Sequence, residues 1–258
     1  MDNYLKVVDA SRHNGELNFS KLVAAGVVGI AMRATVGDYY TDPRFYENWQ
    51  KAEAYDLFRT AYHVIRPKCN FKAQMQRFFD VVGARRPKFG KYGWVMDCEI
   101  IEGQTKKRIT DSIWYGVKAA SSHAGKASFI YTRMSYWNDA VNPSSNWKKW
   151  PLWVARYTNA AAPWFASEPS YLRPREGEWK DWDAWQHSAN GNNQGPAHGA
   201  ESPHLDLNRA RAEIFEGAQP PPEPVPVPEP APEGLQEELL LLKVNGIWSV
   251  DTHTVVMD

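Results

Sequence analysis

The chain has 258 residues, long enough to bury the core of a single α/β barrel. Its net charge of zero conceals 29 bases against 22 acids in residues 1–215, a surplus that suits an anionic partner, although no run of four Lys or Arg supplies a nucleic-acid arm. Two cysteines, Cys69 and Cys98, exclude a disulfide framework, and no apolar stretch is long enough to span a bilayer, so membrane insertion is not expected.

The opening "MDNYLKVVD" runs directly into a strand and has neither the basic start nor the apolar core of a signal peptide. The first strand, "YLKVVDA", carries Asp9 near its end. A helix over "NFSKLVAAG" leads to "VVGIAMRA", where Arg33 stands near the end of the second strand. "DPRFYENWQKAEAYDL" reads as a helix, "RTAYHVI" as a third strand bearing Tyr62 and His63, and "NFKAQMQRFFDVVGAR" as a helix.

The fourth strand, "GWVMDCEI", places Asp97 and Glu99 one residue apart in an apolar run. Strand side chains alternate faces, so the two carboxylates share a face, with Cα atoms roughly 6–7 Å apart. Trp94, Met96, Cys98 and Ile100 point the other way into an apolar layer. Each carboxylate raises the cost of charging the other. "TDSIWYGVKAASSHAG" follows as a helix capped by Thr110 and closed at Gly125.

"ASFIYT" ends with Tyr131 near its close, "PLWVARY" ends with Tyr157, "DAWQHS" holds Trp185 and Gln186, and Asp206 lies in "HLDLN" near the last strand. Strands alternating with helices predict parallel β/α units, and seven or eight such strands predict a barrel. Polar residues at successive strand ends would converge on one mouth, where barrel enzymes place their chemistry. A bland core does not account for them, because unpaired buried carboxylates are costly.

Beyond the barrel, "QPPPEPVPVPEPAPEG" is an extended, semi-rigid Pro/Glu spacer. The expected division is a catalytic barrel over residues 1–217, a linker over 218–234 and a short tail over 235–258. The tail resembles the first half of a peptidoglycan-binding repeat and stops short of the three-helix module. The histidines lack metal-ligand spacing and the cysteines sit in apolar stretches, so neither a metal nor a cofactor is expected. Eight tryptophans lie from Trp137 to Trp185, and Trp153 and Trp185 are the candidates for a sugar-stacking platform.

In order along the chain, "VVDASRHNG", "VGIAMRATVGDYYTD", "AYHVIRP", "VMDCEI", "FIYT", "PLWVARY", "WDAWQHS" and "LDLNR" resemble the motifs of the family 25 glycoside hydrolases, the Chalaropsis-type lysozymes or N-acetylmuramidases. The resemblance covers about residues 5–212. It implies an irregular (β/α) TIM-like barrel with few helices in its last third, acting on bacterial peptidoglycan as a monomer. It implies Glu99 as the general acid, Asp97 as its stabilising partner, and Asp9 and Asp206 as neighbouring acids. The substrate-binding candidates are Arg33, Tyr62, Tyr131, Trp153, Tyr157, Trp185 and Gln186, of which Arg33 is read first as a structural partner for the carboxylates, and Tyr62 and Tyr131 either hydrogen-bond the sugar or fill the barrel mouth.

The substrate's 2-acetamido group could attack the anomeric carbon while Asp97 orients it; direct attack by Asp97 and water activation by a carboxylate are the competing routes. The opening without a leader, the spacer and the wall-binding-like tail together suit a phage endolysin, made in the cytoplasm and released to the cell wall by another protein. A catalytically silent wall-glycan binder and a chitin-type glycosidase are the other functional classes.

Overall fold

The computed structural model describes residues 4–158 and 177–215. The predicted linker and tail therefore lie outside the described residues. Among the described residues, nine strands form one sheet: β1 (Tyr4–Ala10), β2 (Val27–Val36), β3 (Tyr40–Thr41), β4 (Phe58–Val64), β5 (Val95–Asp97), β6 (Phe129–Arg133), β7 (Leu152–Ala155), β8 (Ala184–Ser188) and β9 (Asp206–Arg211). The pairing order β1-β9-β8-β7-β6-β5-β4-β2, with β1 also paired to β2, closes eight of them into a barrel. β3 is a short antiparallel flap on β2.

All the barrel strands run parallel except β9, which is antiparallel to both neighbours, β1 and β8. Parallel units were expected throughout. The reversed β9 places its first residue, not its last, at the mouth, so Asp206 begins the strand directly opposite Asp9.

Among the described residues, five α-helices lie outside the barrel: α1 (Phe19–Ala24), α2 (Phe45–Ala54), α3 (Phe71–Val82), α4 (Lys106–Ala124) and α5 (Met134–Ala140). Asn18 and Asn70 cap α1 and α3 with side-chain oxygens that accept backbone N–H groups of the first turn. The cap of α4 is Thr105, whose hydroxyl accepts from the Arg108 N–H at 3.2 Å, five residues before Thr110, the expected cap. Thr110 instead donates to the Lys106 carbonyl at 2.7 Å from within the helix. The polar first turn, Lys106–Lys107–Arg108, concealed this start from apolar periodicity. After α5 the described residues contain only short 3-10 turns between strands.

Strand alternation divides the core in two. Val8, Ala10, Trp94, Met96 and Cys98 face outward, into the layer beneath the helices. Val7, Ala31, Val95 and Trp153 face inward, where Phe58, Phe89, Phe129 and Phe215 close the bottom of the barrel. Phe58 and Phe215 meet at 4.4 Å between ring centroids, and Phe89 and Trp153 stack at 5.8 Å. Each fully buried aromatic contributes ~2–3 kcal/mol of hydrophobic stabilisation.

The bottom closure needs a glycine. Gly90 has φ +60°, and a Cβ there would lie 2.1 Å from the Ile214 carbonyl. That carbonyl accepts the Lys91 N–H at 3.0 Å, which ties the chain after β9 across the barrel floor. With the bottom plugged, the polar inward residues are left at the other end.

Candidate active site

The inward face of β1 is apolar at Val7 and acidic at Asp9; that of β5 is apolar at Val95 and acidic at Asp97, with Glu99 just beyond the strand. This answers why an apolar strand carries two acids: one face packs the helix layer, and the other enters the mouth. The mouth is a cleft of about 480 Å³, and Asp9, Arg33, Tyr62, Asp97, Glu99, Tyr131, Trp153, Tyr157, Gln186 and Asp206 all line it.

Hydrogen bonds fix the deeper half of the site. Asp9 Oδ2 accepts from Gln186 Nε2 and from Asn208 Nδ2, each at 2.8 Å. Tyr131 donates its hydroxyl to Gln186 Oε1 at 2.8 Å, which orients that amide with its NH2 toward the acids. Gln186 Nε2 also reaches Asp206 Oδ2 at 3.4 Å. Asn208 uses its own Oδ1 to accept from Trp153 Nε1 at 2.8 Å.

Burial governs the protonation of all four acids. It raises the proton affinity of Asp9, against which hydrogen bonds from Asn208, Gln186 and Asp206 act by stabilising the charged form. Burial, together with the negative charge of Asp9, pushes Asp206 up to about 10. Both proton affinities of the pair are raised, and the hydrogen bond from Asp206 favours the charged form of Asp9.

Asp97 is raised well above the carboxylate range, first by burial, then by the charges of Glu99 and Asp9, while Arg33 and Arg133 act in the opposite sense. Glu99 is raised by burial and by Asp9, and lowered by Arg133. Asp97 Oδ1 is buried and accepts no hydrogen bond from the described chain. It is an acceptor at the cleft without a protein donor.

Arg33 does not pair with these acids. Its Nε bonds Asp42 Oδ2 at 2.7 Å, and the buried Asp42 also accepts the Arg12 and Arg44 backbone N–H groups. Arg33 thus forms a braced cationic wall of the cleft. His63, adjacent to Tyr62, faces outward instead, 2.7 Å from Thr35 Oγ1 and 3.1 Å from Gln74 Oε1.

The tryptophan expectations need correction. Trp185 is fully buried and lies outside the barrel, where its ring meets His187 and its Nε1 donates to the Arg156 carbonyl at 2.8 Å. Gln186 faces inward, so its neighbour Trp185 must face outward. Trp153 does line the cleft floor, but Phe89 and Phe129 pack against its ring at 5.8 and 5.5 Å, which leaves no broad face for a sugar. Tyr157, 48% exposed on the rim, is the aromatic available for contact.

Asn208 and Arg133 were not anticipated, though the signal existed. Asn208 lies two residues from Asp206 in "LDLN", and Arg133 lies two residues from Tyr131 in "YTR", so each shares a face with a residue already singled out. Arg133 Nε lies 3.2 Å from Glu99 Oε2. Among the described residues, no group of His, Cys, Asp and Glu is arranged to hold a metal ion, and no helix is long and apolar enough to cross a membrane.

Comparison with known proteins gives a consistent result. The family model for glycosyl hydrolases family 25 matches residues 8–196. Lysozyme M1 of Streptomyces globisporus is 26% identical over 200 residues, covering 71% of this chain and 62% of that protein. An uncharacterized protein of Escherichia coli K12, YegX, is 25% identical over 189 residues, covering 71% of this chain and 63% of that protein. The chain thus spans about three fifths of the length of these curated relatives. The bacterial lysozyme of Streptomyces coelicolor superposes with a TM-score of 0.67 at 23% identity, over 85% of this chain and 100% of that one.

Proposed function

The chain belongs to the glycosyl hydrolases of family 25, and from that premise we propose that it is a peptidoglycan hydrolase cleaving the β-1,4 bond between N-acetylmuramic acid and N-acetylglucosamine. The observation that carries this reading is the pair Asp97 and Glu99, held at the mouth of the barrel with both proton affinities raised. A glycosidase needs one protonated carboxyl at the leaving oxygen and a second group that stabilises positive charge at the anomeric carbon.

In this reading Glu99, the more accessible of the two, protonates the glycosidic oxygen as its bond to the anomeric carbon breaks. Asp97 Oδ1 accepts the N–H of the 2-acetamido group, whose carbonyl oxygen attacks that carbon and closes an oxazolinium ring. That donated hydrogen bond favours the charged form of Asp97 and leaves the pair's proton on Glu99. Water then adds to the anomeric carbon, gives its proton to the Glu99 carboxylate and reopens the ring, with configuration retained.

Asp9 and Asp206 form an acidic floor beneath the developing cation, and Tyr62, Tyr131, Tyr157 and Arg33 shape the cleft around the sugar. The substrate is bacterial peptidoglycan, the protein acts as a monomer, and no cofactor enters any step.

Replacing Glu99 by Gln removes the donated proton and keeps the shape. Turnover of purified peptidoglycan is expected to fall by roughly 10²–10⁴-fold, with circular dichroism unchanged. Near wild-type turnover by this variant would sink the assignment.

A further inference from the structure

The basic residue beside the proposed acid has no part in the mechanism above. Arg133 is the last residue of β6, and its position follows from the strand: Tyr131 and Arg133 share the inward face, and Tyr131 pairs with Asp97 across the sheet. The Arg133 side chain is about half exposed on the rim, and its Nε lies 3.2 Å from Glu99 Oε2. Glu99 lies beyond the end of β5, which spans Val95–Asp97. Its neighbours hold the backbone, Cys98 N–H donating to the Tyr131 carbonyl at 2.9 Å and the Ile100 carbonyl accepting the Tyr136 hydroxyl at 3.2 Å, so the side-chain torsions are what remain to be set. Among the described residues this ion pair is the side-chain polar contact seen at the Glu99 carboxyl. Among the described residues the polar partner of the proposed acid is thus Arg133, and it is cationic.

We propose that Arg133 is a positioning residue, which turns the Glu99 carboxyl toward the scissile bond and sets the upper pH limit at which that carboxyl still holds its proton. This rests on the reading of Glu99 as the general acid.

The charged and titratable surroundings of Glu99 make the sign definite. The carboxyls of Asp9, Asp97 and Asp206 face it from β1, β5 and β9. The phenols of Tyr131, Tyr136 and Tyr157 lie around it on β6, α5 and the segment after β7, and the Cys98 thiol lies beside it, just after β5. Every one of these is neutral or negative when it titrates. Among the described residues Arg133 is the cation acting on Glu99, and it opposes burial and Asp9. Removing it leaves Glu99 protonated to a higher pH while releasing the carboxyl from its orientation. An activity lost for lack of aim and a pH limit moved upward should therefore appear together.

The experiment compares wild type with Arg133→Gln and Arg133→Lys. The first readout is independent of turnover: NMR titration of the Glu99 side-chain carboxyl carbon in protein labelled at glutamate, assigned with Glu99→Gln. The second is the pH profile of kcat and KM on solubilised peptidoglycan.

With Arg133→Gln, the Glu99 midpoint and the alkaline limb of kcat/KM are expected to rise together by about half a pH unit, the size of a partly exposed ion pair. kcat at the optimum falls roughly tenfold and KM changes less than threefold, consistent with an interaction needed in the transition state. Arg133→Lys, which keeps the charge but not the planar fork, holds the limb near its wild-type position and recovers part of kcat.

An unmoved Glu99 midpoint in Arg133→Gln overturns the proposal, as does a fall in kcat that tracks lost thermal stability and is not relieved by Lys. If wild type releases no sugar ends while the NMR midpoint still moves, the assigned activity has failed and the Arg133–Glu99 coupling has not.

Discussion

Asp206→Asn isolates the electrostatic cost of the site. In the folded protein Asp206 holds its proton up to about pH 10, whereas the unfolded chain releases it near 3.8. Between those values the native state binds the extra proton, so its stability falls as pH rises and is greatest below the unfolded pKa. At ~1.4 kcal/mol per pH unit, the slope bounds this loss at roughly 4 kcal/mol between pH 4 and pH 7. Asp9 shares the interaction, so about 2–4 kcal/mol is the working expectation.

Asparagine keeps the shape and can still donate to Asp9, but it carries no titration. Urea unfolding of wild type and Asp206→Asn at pH 4.5, 6 and 7.5 should show the variant's advantage growing with pH, from its smallest value at the acid end. Such a gain would mark the acid as retained at the expense of stability, as active-site groups commonly are. A difference that is flat with pH, or that shrinks as pH rises, refutes the reasoning about which group holds the proton.

Two further substitutions test the site's architecture. Asn208→Ala leaves both the Trp153 N–H and the Asp9 carboxylate short of a buried partner; a loss of about 3 kcal/mol is expected by denaturant titration, and a loss under 1 kcal/mol would show that the network is not as drawn. Trp185→Phe alters a ring in the outer layer, so KM for peptidoglycan should stay within twofold while stability falls by about 1–2 kcal/mol; a large rise in KM with unchanged stability would return Trp185 to the cleft.

The parts of this arrangement that were legible in sequence are those governed by the two-residue period of a strand. Asp97 and Glu99 had to share a face, and with Val95 below them that face had to be inward at an otherwise apolar strand. The same rule, applied to Gln186, excludes Trp185 from the cleft, and applied from Asp206 and Tyr131 it reaches Asn208 and Arg133. Stacking chemistry outweighed strand geometry in choosing the tryptophans, and geometry decided their places.

Other features were not local. Nothing in "LDLNR" indicates that β9 runs antiparallel, because direction is set by which neighbours it pairs with, and Asp206 is at the mouth only because it begins that strand. The start of α4 at Lys106 was hidden by three basic residues in its first turn. The partner of Arg33 was likewise non-local in character: Asp42 lies nine residues away beyond the β2–β3 turn, and only the folded turn brings it to the guanidinium.

The central claim is that Glu99 and Asp97 cut the glycosidic bond on the reducing side of muramic acid. The direct measurement is digestion of purified peptidoglycan, borohydride reduction of the new ends, and mass analysis of the sugars released. The account predicts reduced muramic acid at the new ends, absent from a Glu99→Gln digest. Reduced glucosamine would move the cut to the other linkage, and no new reducing ends from folded wild-type protein would contradict the account outright.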